Sequence, residues 1–268
     1  MLKDITLGQF FPMDSVVHKM DARYKIIITL IFLVMLFWGQ HLTSLIAGFL
    51  FVMLATICSK IPPKMLVKSI KPIVPILAVT GFLNLFMLKG GKTYFAWKFI
   101  EITEQGVQTS IFMMVRICLL IAGTSLLTYT TSPIVLTDAI ESLLSPLKKL
   151  KMPVHELAMM MTIALRFIPT LIEETDKIMA AQKARGADME SGSLMQRVRA
   201  LVPILIPLFV SAFRRAEELA LAMECRCYHG GEGRTRLRTL RSGMRDYVAL
   251  GITLLLFSAV IVLNIVLH

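Results

Sequence analysis

Two arginines stand where their side chains can do more than solvate a surface. Arg185 lies between Ala184 and Gly186, and Arg226 lies between Cys225 and Cys227. Small neighbours leave a guanidinium free to enter a groove on another molecule. There its planar fork can pair with a carboxylate or with helix-end carbonyls. Either arginine alone could equally be a helix C-terminal cation that complements the macrodipole. A duplication favours the first reading, because the two arginines close similar units. The first unit runs through Ile168-Pro169 and Glu173-Glu174 to Ala184-Arg185-Gly186; the second runs through Ile206-Pro207, Arg214-Arg215 and Glu217-Glu218 to Cys225-Arg226-Cys227. Ile168, Leu171, Ile172, Thr175, Ile178 and Met179 recur at helical spacing, as do Phe209, Ala212, Phe213, Ala216, Leu219 and Ala220. Gly186 suits a helix terminator, because glycine accepts a left-handed backbone cheaply.

Other reactive groups are scattered. Arg116 falls within an apolar run, where a charge costs about 2.5–3.5 kcal/mol on insertion scales, so it must face protein or water. Arg116 and Asn84 are candidates for an intramembrane polar node, with Thr124, Ser125 and Thr128 as neighbours; the alternative is that Arg116 snorkels to a boundary. Asp21 and Lys25 read as a helix cap and an i,i+4 pair. Cys225 and Cys227 are i,i+2, a spacing that points helical side chains apart, so no metal site is expected. There is no G-x-x-x-x-G-K-[ST] phosphate loop and no H-E-x-x-H, and the five histidines are dispersed. The chain is expected to have no catalytic set and no cofactor. ATP hydrolysis would have to come from another subunit.

The elements that must position these groups follow from composition. Hydrophobic residues make up 56% and charged residues 18%, with a mean hydropathy of +0.70. That is too apolar for a soluble enzyme or a disordered chain, and lipid is the natural solvent for the excess. The net charge of +11 then marks loops beside anionic lipid rather than nucleic-acid binding. Charge-poor runs at 26–38, 42–59, 72–88, 107–129 and 247–267 predict about five transmembrane helices. Lys60, Lys64, Lys68 and Lys71 follow the second run, and Lys148, Lys149, Lys151 and many arginines follow the fourth. The turn at 39–41 has no Lys or Arg, and Glu101 and Glu104 offset Lys89, Lys92 and Lys98. The positive-inside rule therefore puts the N-terminus in the cytoplasm and the C-terminus outside. Charges scattered from Lys3 to Lys25 argue against a signal peptide. The expected fold class is an all-α integral membrane protein with long coupling helices on the cytoplasmic side. Residues 1–129 form a membrane region, 130–245 a cytoplasmic coupling region and 246–268 a last span. The apolar stretches 157–172 and 200–213 are short and interrupted by proline. They read as helices lying shallowly in the bilayer, a pair of extra spans being the alternative.

Ala184-Arg185-Gly186 and the run from Ala222-Met223-Glu224-Cys225-Arg226-Cys227 through Gly230-Gly231-Glu232-Gly233-Arg234 resemble the two Ala-Arg-Gly signatures of the T component of energy-coupling factor transporters. His18-Lys19-Met20-Asp21-Ala22-Arg23-Tyr24-Lys25 is similar to that family's basic element before the first span. Cysteines replace the usual alanine and glycine of the second signature, and Ala22 stands where proline is common. The resemblance implies a membrane scaffold that holds two cytoplasmic ATP-binding subunits and a membrane-embedded substrate-binding S component. It implies that Arg185 and Arg226 tip coupling helices that dock on the ATPases. The glycine-rich extension looks more like T components shared among vitamin transporters than like dedicated metal systems. The 18 methionines would suit interchangeable S components. The competing classes are a membrane-embedded enzyme, against which the missing acid, base or nucleophile weighs, and a self-contained carrier.

Overall fold

The computed structural model describes residues 10–39, 42–87, 90, 93–97, 100–150, 152–187, 193–230, 240 and 242–266. Gln40, His41, Lys89, Lys92, Lys98, Lys151, the glycine-rich extension from 231 onward and His268 lie outside the described residues. The helices are α1 Ala22–Trp38, α2 Leu42–Ser59, α3 Pro63–Ile70, α4 Val74–Met87, α5 Glu104–Thr130, α6 Pro133–Leu144, α7 Val154–Ala184, α8 Leu194–Glu224 and α9 Met244–Val266. Strands β1 Thr93–Trp97 and β2 Ile100–Thr103 pair antiparallel between α4 and α5. The loop expected between those helices thus holds a short hairpin. Its β-branched and aromatic residues are the available signal.

The all-α integral membrane class holds, and among the described residues five helices are long and apolar enough to cross a membrane. Their membership differs from the expected set. Helix α1 has 17 residues and at ~1.5 Å per residue spans about 25 Å, short of the roughly 30 Å of hydrocarbon. Helix α7, with 31 continuous residues despite Pro169 and Arg166, meets the same measure by length and composition alone. The third span begins earlier than expected, because α3, a 3₁₀ turn at Lys71–Ile73 and α4 run on as one segment, Pro63–Met87.

The helices fall into two units, one built from α1–α5 and α9 and the other holding α7 and α8. In the first, Phe32, Met35 and Leu36 of α1 are buried with Val52 of α2, Leu119, Ala122 and Leu126 of α5, and Val260 of α9. Phe32 stacks on Phe51 with ring centroids 4.6 Å apart. Helix α5 reaches α1 closely because Gly123 lacks a side chain: a Cβ there would sit 2.3 Å from the Phe32 ring. Small residues at such crossings are how helices pack in lipid, where apolar surface alone gives little drive to associate. Most remaining large apolar side chains, among them Phe37, Phe49, Phe82 and Leu255, point outward, as lipid requires.

In the second unit α7 and α8 cross. Pro207 has no N–H, so the carbonyl four residues earlier in α8, that of Pro203, loses its helical donor. Gln182 of α7 supplies a replacement, its Nε2 donating to Pro203 O at 3.3 Å. Ser193 starts α8, its N–H donating to Gln196 Oε1 at 2.9 Å.

Candidate functional site

Both arginine tips are built from the same backbone turn. At the end of α7, Gly186 N–H donates to Lys183 O and Ala187 N–H to Gln182 O, each at 3.0 Å. At the end of α8, Cys227 N–H donates to Glu224 O at 2.8 Å and Tyr228 N–H to Met223 O at 3.1 Å. Every donor and acceptor of the second set follows its counterpart in the first by the interval that separates Arg226 from Arg185. The paired 6→1 and 5→2 bonds are those of a Schellman turn, which needs a left-handed residue after the cap. Gly186 has φ 86° and Cys227 has φ 54°. Cysteine therefore adopts the backbone that the usual glycine would supply. The site residues Ala184, Arg185, Gly186, Cys225, Arg226 and Cys227 are all exposed. Each guanidinium thus projects from a closed helix end with little side-chain bulk beside it.

A cross-brace ties the two helices behind these tips. Arg215 Nη2 donates to Glu174 Oε2 at 2.7 Å, and both side chains are half-buried. Glu174 and Arg215 are separated by that same interval, so equivalent positions of the two units meet. Had the units kept one sequence, like charges would face each other there and repel. An acid in one unit and a base in the other turns that repulsion into an ion pair. Each tip arginine lies three helical turns beyond its brace residue, or ~16 Å along the helix.

The basic element before α1 forms a clasp within the other unit. Asp21 caps α1, accepting from Arg23 N–H at 2.9 Å, and takes the Arg23 guanidinium at 2.6 Å. Burial pushes the Asp21 carboxyl up, but the hydrogen bonds from Arg23 outweigh it and hold the group below the usual carboxylate range. Asp21 N–H donates to Asp246 Oδ1 of α9 at 3.0 Å, and Arg23 Nη2 donates to Leu240 O at 3.2 Å. Lys25 does not form the expected i,i+4 pair. Its ammonium is buried and donates to Thr130 O at 3.0 Å and Thr131 Oγ1 at 3.2 Å, at the end of α5. Burying an ammonium is costly, and these acceptors offset the cost. Ahead of the clasp, His18 Nε2 meets the carbonyl of Phe11 at 2.9 Å. A carbonyl can only accept, so Nε2 carries the proton and Nδ1 accepts from the Ser15 hydroxyl at 2.6 Å. Burial lowers the His18 pKa. The start of α1, the end of α5 and the start of α9 thus share one end of the bundle. Sequence reasoning missed Asp246, Thr130 and Thr131, because nothing local marks them as partners of a segment so far away along the chain.

Arg116 and Asn84 are not joined by a hydrogen bond. Arg116 instead donates to the carbonyl of Gly39, where α1 ends, and lies over the Phe112 ring at 4.5 Å. It serves the α1–α2 turn, satisfying a helix-end carbonyl that the short α1 leaves inside the bundle. Among the described residues no group of His, Cys, Asp and Glu side chains is placed to hold a metal.

Several helices long and apolar enough to cross a membrane, together with a packed pair that ends in exposed cationic turns, define a multi-pass membrane protein. Comparison with known proteins gives the class a family. Residues 13–237 match the CbiQ family, described as cobalt transport protein. The chain is 51% identical over 271 residues to the energy-coupling factor transporter transmembrane protein EcfT of Ruminiclostridium cellulolyticum, with 99% of each chain covered. It is 54% identical over 250 residues to the EcfT protein of Clostridium kluyveri, with 93% of each covered, and 53% identical over 248 residues to that of Thermosediminibacter oceani, with 92% of this chain and 93% of the relative covered. The chain belongs to this family of energy-coupling factor transporter transmembrane components.

Proposed function

We propose that the chain is the coupling subunit of an ATP-driven uptake transporter, transmitting movement from two cytoplasmic ATP-binding subunits to a membrane-embedded substrate-binding S component. Arg185 and Arg226 each enter a groove on one ATPase. One observation carries the reading: the same Schellman turn recurs at the ends of α7 and α8, each time presenting an exposed arginine between small residues. Two like tips suit two like partner surfaces. The brace lets a push on one tip be felt at the other, since the helices are tied where they cross.

Sidedness follows from charge. Arg23, Lys25, Lys60 and Arg245 gather at the bundle end formed by the clasp and the end of α2. Residues 39–41, at the opposite turn, include no Lys or Arg, and the cation that reaches the turn, Arg116, comes from within α5. The positive-inside rule makes the clasped end cytoplasmic, which leaves the C-terminus outside. The subunit is non-catalytic, and its cargo is a vitamin or related micronutrient selected by the S component.

The test is the Arg185→Glu plus Arg226→Glu variant. Membrane insertion should persist while both ATPase copurification and transport fall to background. Normal ATPase copurification from that variant would refute the assignment.

A further inference from the structure

Between α1, α2, α5 and α9 lies a cavity of about 480 Å³, large enough for a sizeable ligand. Ile28, Leu54, Ala55, Leu126, Ile252 and Leu256 line it with hydrocarbon. The polar groups in its wall are committed elsewhere. Thr29, Thr130 and Thr253 donate to the carbonyls of Lys25, Leu126 and Ala249, each at 2.8 Å. The Lys25 ammonium is held by Thr130 and Thr131. A polar ligand or a chain of waters would find few donors there, since water needs two to four polar partners to stay. The cavity suits an apolar chain.

Its mouth has the opposite character. A second recess, of about 300 Å³, shares Val16, Cys58 and Arg245 with the cavity and adds Asp14, Ser15, Lys19 and Lys60. Lys19 pairs with Asp14 at 3.3 Å. Lys60 and Arg245 are exposed and have no carboxylate partner among the described residues. The recess therefore keeps two uncompensated positive charges at the entrance of an apolar space. Lys60 is held there by a left-handed backbone, φ 57°, in the turn that ends α2.

We propose that this is a binding site for one anionic phospholipid, with an acyl chain in the cavity and the phosphate between Lys60 and Arg245. The amphiphile matches both halves: hydrocarbon to hydrocarbon, and an anion to two cations that attract it from the anionic leaflet. The lipid fills the gap between α2 and α9 beside the clasp and stiffens that end of the bundle. Free phosphate would use only the mouth, and a zwitterionic lipid would lack the net charge.

Native mass spectrometry of the full complex, taken from vesicles of phosphatidylcholine with a minor share of phosphatidylglycerol, tests this. Phosphatidylglycerol should be retained at about one molecule per chain, with roughly tenfold preference over phosphatidylcholine. Lys60→Ala with Arg245→Ala should erase the preference, and Ala55→Phe, which fills the cavity, should lower retention of both lipids. The two exposed cations are outside the packed core, so their double variant reports on the site even if Ala55→Phe folds poorly. Equal retention of the two lipids by the unaltered protein would overturn the proposal. So would an unchanged preference in the double alanine variant, or displacement of the lipid by millimolar inorganic phosphate.

Discussion

Arg185 and Arg226 close the same hydrogen-bonded turn, yet the two helix ends are secured differently. Helix α7 ends on Gly186, and Gln182 ties its last turn to Pro203 of α8. Helix α8 ends on Cys227, and Met223 stands where Gln182 would be. The first tip thus has a relaxed backbone and a polar anchor. The second holds a strained residue, at a cost of about 1 kcal/mol for a side chain in the left-handed region, and has no matching anchor. What the two units share is the turn and the arginine, not the residues that produce them. That is the pattern expected where a partner reads shape and one charge, while the flanks are free to diverge.

Replacing one tip at a time should break the contrast most visibly. Arg185→Ala and Arg226→Ala should each lower ATP-dependent uptake at least tenfold while leaving the chain in the membrane; uptake and copurified ATPase are the readouts. Two equal losses mean that both tips carry load, whereas a loss at one tip alone would assign docking to that end.

Next in size is the brace. Glu174→Arg sets two guanidiniums against each other at the crossing and should cost about 1–2 kcal/mol in detergent melts, the half-exposed position limiting the effect. Glu174→Arg with Arg215→Glu should recover most of it. Uptake that recovers in parallel would tie the brace to coupling rather than to folding alone.

Smaller effects separate the turns themselves. Gly186→Ala should destabilise by about 1 kcal/mol, because no atom within 4 Å crowds the added methyl and only the φ of 86° resists it. Cys227→Gly should stabilise by about 0.5 kcal/mol. Opposite signs at equivalent positions are the expected result, read as shifts in the melting temperature.

The smallest handle lies in the clasped bundle. Burial, helped by the nearby positive charge of Lys25, outweighs the bond to the Phe11 carbonyl, so the folded pKa of His18 lies below the unfolded value of about 6.5. Its contribution is complete above that pH and is lost as pH falls through the folded value. Melts at pH 7.5 and 5.5 should show a drop that His18→Gln reduces.

Much of this is legible from local pattern. Apolar runs near the span length of about 20 residues disclose most of the spans, and small residues around two arginines disclose the tips. Glu173-Glu174 and Arg214-Arg215 are visible at matching repeat positions, but their meeting depends on how α7 and α8 cross, which spacing cannot state. Pro169 and Arg166 make α7 look too interrupted to be a long apolar helix. Neighbouring groups make such prolines tolerable, and the helix runs through. By i,i+4 reasoning Lys25 belongs to Asp21, yet the fork of Arg23 takes Asp21, and Lys25 finds carbonyl and hydroxyl oxygens at the end of α5. Arg116 and Asn84 look like neighbours because both lie in spans, but the shortness of α1 brings the Gly39 carbonyl to Arg116 instead.

The central claim is that both tips sit in grooves of ATP-binding subunits, and site-specific crosslinking addresses it without altering either arginine. A photoreactive residue at position 184, and separately one at 225, should each capture an ATP-binding subunit in intact membranes, with the yield changing when ATP is added. Capture of no ATP-binding subunit from either position, or labelling of both positions by a reagent confined to the outside, would contradict it.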